Sequence, residues 1–107
     1  MNSRSHDLKS WPQFFRPIAN RVRTHELRRN DRDFRVGDVV LLREWDPETE
    51  RYTGARCEVV VSSITSQEVP CAASDEGLRP DFCILSVRVL HTTGIEPAEP
   101  TPGPAAI

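Results

Sequence analysis

Residues 23–47 read RTHELRRNDRDFRVGDVVLLREWDP. Arg23, Arg28, Arg29, Arg32 and Arg35 are interleaved there with Glu26, Asn30, Asp31 and Asp33, and a Gly37-Asp38 pair and an apolar run follow at once. A guanidinium held in a fixed direction can recognise a phosphate or a base edge, whereas a mobile one mostly screens charge. Recognition of an anion or a nucleobase is therefore the chemistry this run suits. Lys9 and Arg23 are candidates for phosphate contact, with ordinary solvated charge as the alternative. Glu26 and Arg28 lie two apart and share one face of a strand. They either line a ligand groove or support each other as a pair, worth at most about 1 kcal/mol where exposed. Arg43, Glu44 and Trp45 could form a groove wall, although a tryptophan at a strand end also suits core or rim packing. Tyr52 offers a stacking face, worth about 1–3 kcal/mol to a base, or packs locally.

Other residues point to structure. Asn30 to Asp33 can satisfy their own backbone in a loop, with Arg32 tying it between two aspartates. Gly37-Asp38 is turn chemistry. His6, His25 and His91 have no metal-ligand spacing. Cys57 and Cys83 suit a core, and Cys71 falls in a loop. No phosphate-binding glycine loop, dinucleotide fingerprint or nucleophile motif is present.

The positioning elements follow from periodicity. His6 to Lys9 is expected as a first strand. Ser10 is expected to cap a helix with Pro12 in its first turn. Trp11, Phe14, Phe15 and Ile18 fall at i, i+3, i+4 and i+7, one apolar helical face. Pro17 should keep this helix short or kinked, ending near Asn20. Further strands are expected at Thr24 to Arg28, Val39 to Glu44, Arg56 to Ile64 and Phe82 to Leu90. The continuous apolar run Val39 to Leu42 suggests burial on both faces. Asp46 to Gly54 reads as a polar hairpin connection and Gln67 to Asp81 as a loop. Several short strands and one early helix predict a mainly β (α+β) domain, a small, partly open β-barrel. It should span residues 6–93, after a flexible N-terminus (1–5) and before a disordered proline-rich tail (94–107).

A chain of 107 residues, 37% hydrophobic, suits one domain with a small core. The net charge of −2 conceals an asymmetry. Residues 1–36 hold nine basic and four acidic groups, a net of +5; residues 37–107 hold five and twelve, a net of −7. The total argues against indiscriminate polyanion binding, while the local excess permits a basic patch. Lys9 is the single lysine among fourteen basic residues. No apolar run reaches the roughly 18 residues of a membrane span, and no signal-like h-region opens the chain. Three cysteines without a CxxC are expected as reduced thiols in a cytoplasmic protein.

The series HDLKSWPQFF (6–15), residues 23–47 and RYTGARCEVVV (51–61) resembles a family of short bacterial and phage proteins. This is the domain of unknown function 3850 family, placed in an ASCH-like branch of the PUA-like superfamily. The resemblance covers His6 to about Ile64, and Cys83 to Val89 is similar to the closing strand. It implies a PUA-like β-barrel with a helix beside a groove, in a superfamily associated with RNA or modified nucleosides. The ASCH signature GxKxxExR corresponds to RVRTHELR, Arg21 to Arg28. Glu26 and Arg28 match it; Arg21 replaces the glycine and Arg23 the lysine. Some ASCH proteins hydrolyse acylated cytidine with that lysine, but an arginine stays protonated and is a poor base. The expected function is thus an RNA- or nucleotide-binding module, monomeric, without cofactor or metal and away from membranes. A small hydrolase of RNA or a modified nucleoside, with Glu26 as base, is one alternative. A phage or bacterial protein-interaction module is the other.

Overall fold

The computed structural model describes residues 4–95. The expected tail from Glu96 on, and residues 1–3 of the expected flexible N-terminus, lie outside them. Five strands form one sheet: β1 (Ser5–Ser10), β2 (His25–Arg29), β3 (Val39–Asp46), β4 (Arg51–Thr65) and β5 (Phe82–Thr93). Helix α1 (Pro12–Ala19) follows β1, and the one-turn α2 (Ser74–Gly77) precedes β5. The spatial order is β1-β3-β4-β5-β2. β1 runs parallel to β3, and the other neighbours are antiparallel. A parallel pair needs a crossover, here supplied by α1 and β2. Register shifts at Arg43/Trp45, Glu58/Val59 and Val61/Ser63 add local twist and bend the strands. The sheet curls into a half-barrel whose two edges, β1 and β2, approach each other across an open seam. No described helix is long and apolar enough to cross a membrane.

The core fills the concave face. Leu8, Val40, Leu42, Cys57, Val59, Val61, Cys83, Leu85 and Val87 alternate inward along their strands. Phe15, Ile18 and Ala19 of α1 close over them. Burial of the Cys57 and Cys83 thiols raises their pKa, Cys57 to about 11, as fits inert core residues. Glu44 joins the core as a fully buried carboxylate. Arg16 of α1 grips it with two hydrogen bonds, Nε to Oε2 at 2.7 Å and Nη2 to Oε1 at 2.9 Å, and Thr53 Oγ1 donates a third at 2.7 Å. This clamp fixes α1 onto β3. Asp38 has a matching role at the other end of the barrel. It accepts the Arg35 and Arg4 backbone N–H groups and lies 2.8 Å from His6 Nε2.

The exit from α1 explains how Arg23 is placed. Arg21 N–H donates to Ile18 O and Val22 N–H to Pro17 O, the paired bonds of a Schellman turn. Arg21 takes the left-handed conformation such a turn needs, φ +63°. Arg23 N–H also donates to the Pro17 carbonyl, which pins the segment leading into β2 to the helix.

Several expectations are corrected. Ser10 does not cap α1; its pairing with Glu44 keeps it in β1, and Trp11 holds the cap position without a side-chain bond. Trp11 and Phe14, expected on the packed helical face with Phe15 and Ile18, are each 45% exposed. β3 is not buried on both faces: Val40, Leu42 and Glu44 point in, while Val39, Leu41 and Arg43 are half-buried. The hairpin connection shrinks to residues 47–50, because Trp45 pairs with Tyr52 and Asp46 with Arg51. β5 runs on to Thr93 through pairing with Arg56, Cys57 and Glu58. The Gln67–Asp81 loop contains α2.

Candidate functional site

Where the edges of the half-barrel meet, a groove of about 630 Å³ opens. Its walls come from both edge strands, from the start of α1 and from the start of β5. On β2, Glu26 pairs with Leu85 and Arg28 with Cys83. Those partners face the core, so Glu26 and Arg28 also turn inward, and because β2 is an edge strand they reach the seam. Arg28 Nε donates to Glu26 Oε2 at 2.7 Å. Arg28 Nη2 donates across the seam to the Lys9 carbonyl of β1 at 2.8 Å. The guanidinium is therefore held at both ends, and Glu26 is only 8% exposed.

Ser10 lies on β1 next to Lys9 and lines the same groove. It is 3% exposed, and its hydroxyl has no hydrogen-bond partner, alone among the buried side chains of the described residues. Such a hydroxyl has lost water without replacing it, which is unusual and costly. Arg23 also lines the groove and is half-buried, and no described side chain pairs with its guanidinium. Trp11, Phe14 and Phe82 add aromatic surface. Arg29 leans over the Phe82 ring at 5.0 Å and is tied to Asp81 at 2.7 Å. His25 and Leu27 complete the lining as exposed residues of β2.

The sequence-derived candidates divide into two groups. Lys9, Arg23, Glu26 and Arg28 come together in the groove. Lys9 contributes its carbonyl, but its ammonium lies 3.8 Å from the Trp45 ring centroid. Arg43, Trp45 and Tyr52 do not line this groove. They stack on the outward face of β3 and β4, with Trp45 edge-on to Tyr52 at 4.9 Å and Arg43 over Tyr52 at 4.0 Å. Glu44, expected beside them in a groove wall, is instead sealed in the core. The Asn30–Asp33 loop is held by structure: Arg4 bonds the Asp33 carbonyl, Arg35 pairs with Asp33 and Arg32 donates to the Asp7 carbonyl.

Ser10, Trp11, Phe14 and Phe82 were missing from the sequence-derived site. Helical spacing marks Trp11 and Phe14 as apolar but cannot show that the curled sheet leaves them outside the core. Ser10 carries no sequence signal for the groove at all.

A family model described as Domain of unknown function (DUF3850) matches residues 5–87. The chain belongs to that family. The DUF3850 match runs from β1 into β5 and takes in every residue that lines the groove. No curated protein matches the chain.

Proposed function

We propose that this DUF3850 chain is an RNA- or nucleotide-binding module of the ASCH-like, PUA-like type, and that the seam groove is its site. One observation carries the reading: three aromatic side chains and an unpartnered Arg23 line one groove. Aromatic faces stack on any base. A free guanidinium beside them suits the attached phosphate, to which it can donate two parallel hydrogen bonds. Arg23 stands where ASCH hydrolases have lysine. An arginine there holds an anion and does not accept a proton, which supports binding over catalysis.

Fluorescence anisotropy with short single-stranded RNA tests this. With one or two phosphates contacted, affinity should fall by up to roughly sevenfold between about 50 and about 200 mM salt. Arg23→Ala should weaken binding and flatten that dependence. Absence of binding at low salt, or binding indifferent to Arg23→Ala, would refute the proposal.

A further inference from the structure

The convex face of the sheet carries a second basic feature, outside the groove. Strand pairing sets Lys9 of β1 opposite Arg43 of β3, and Arg43 opposite Arg56 of β4. Their chain neighbours, such as Leu8, Leu42 and Cys57, are buried. Side chains alternate along a strand, so all three basic groups point away from the core. Three cations thus stand in one row across three adjacent strands, spanning about 10 Å at the ordinary strand spacing. Like charges directly opposite each other destabilise a sheet, and little on the protein offsets that cost here. Among the described residues none of the three side chains donates a hydrogen bond, and their one ion pair, Arg43 with Asp7, is loose at 3.8 Å. Two of the cations are nevertheless held in direction. The Lys9 ammonium lies 3.8 Å from the Trp45 ring centroid and the Arg43 guanidinium 4.0 Å from that of Tyr52, and the two rings brace each other edge-on. A ring positions a cation through its quadrupole and, unlike a carboxylate, leaves the positive charge uncancelled.

We propose that this row binds the sugar–phosphate backbone of the single-stranded RNA whose nucleotide occupies the seam groove. The inference rests on the nucleotide-binding reading of that groove. β1 connects the two surfaces, because the Lys9 carbonyl lies at the seam while the Lys9 ammonium opens the row. β1 is also an edge strand. An RNA chain that leaves the groove over this edge meets Lys9, then Arg43, then Arg56. The row is longer than one phosphate group and suits consecutive phosphates of a backbone. Each phosphate neutralised there relieves repulsion between the cations and releases bound counterions from the RNA. Such contacts carry no base information, so the row adds affinity and direction for any sequence.

The test compares a 5′-phosphorylated RNA dinucleotide, which fills only the groove, with a single-stranded RNA of about ten nucleotides, by fluorescence anisotropy of the full chain across a salt series. With two further phosphates contacted, the plot of log affinity against log salt should be steeper by about 1.4 for the longer RNA. Arg56→Gln removes no described bond. It should weaken the longer RNA at least about threefold at low salt and reduce its slope by about 0.7, with the dinucleotide unchanged. Equal slopes for the two RNAs, or a folded Arg56→Gln that binds the longer RNA as the wild type does, overturn the inference and leave the groove reading standing. Binding of the longer RNA that depends on Arg56 but not on Arg23 overturns the groove reading alone. Binding of neither RNA overturns both. A polyglutamate peptide held as tightly as the longer RNA, with the same dependence on Arg56, makes the occupant an acidic protein segment and overturns the proposal.

Discussion

Arg21 shows how a single position links the approach to the groove to backbone geometry. It sits at φ +63° in the turn that ends α1. A left-handed backbone costs an L-residue about 1–2 kcal/mol, and glycine escapes that cost while gaining entropy in the unfolded chain. Arg21 is exposed, and no described side chain bonds it. Arg21→Gly should therefore stabilise the fold by about 0.5–1 kcal/mol in urea denaturation, with the proposed RNA binding unchanged because Arg21 does not line the groove. Reduced stability would mean that the arginine has a role its surroundings do not show. The signature resemblance made Glu26 and Arg28 legible as a pair. It could not reveal that Arg28 also bonds the Lys9 carbonyl, nineteen residues away, because that contact exists only once the sheet has curled.

The elements depend on buried charge as well as on apolar periodicity. Desolvation pushes the Glu44 carboxyl up, but the bonds from Arg16 and Thr53 and the Arg16 charge outweigh it, and its pKa lies below the ordinary 4.5. The same contact raises the pKa of Arg16. Asp38 behaves likewise: burial raises its pKa, while His6, the two backbone N–H groups and Arg4 bring it below the ordinary 3.8. Both carboxyls have folded pKa values depressed below the unfolded ones. The stability they contribute is full above the unfolded carboxylate values and is lost as pH falls through the folded ones. Urea midpoints should thus be level from about pH 7 to 5 and decline below about pH 4. Glu44→Gln should cost about 2 kcal/mol near neutrality, since it weakens a charge-assisted clamp on a buried group. It should also make the acid decline shallower. An unaltered decline would place the acid sensitivity elsewhere. Strand periodicity located β3 but missed this role for Glu44, because nothing local distinguishes a carboxylate that meets Arg16 from one that meets water.

At the scale of the whole molecule, Arg28 is the bridge that spans the open seam. It donates to Glu26 on its own strand and to β1 opposite, so it both shapes the groove and restrains the edges. Arg28→Ala should destabilise the fold by about 1–3 kcal/mol. In hydrogen exchange, β2 amides should lose more protection than those of the central β3 and β4, since an edge strand can open without the rest. Uniform loss across the sheet would show that the seam is not a separate unit. The sequence by itself determined the mainly β class, the single early helix, approximate places for all five strands, the family and the Glu26–Arg28 pair. All of these rest on local periodicity, turn chemistry or a contiguous motif. Only the tertiary structure decided that β1 lies parallel beside β3 and that β2 joins β5 at the opposite edge. That strand order curls the two edges toward each other. It thereby gathers Ser10, Trp11, Phe14, Arg23 and Phe82 around one groove and leaves Arg43, Trp45 and Tyr52 stacked outside it. The physical reason is that strand pairing is non-local: the same residue faces a groove or the solvent according to which distant strand lies beside it.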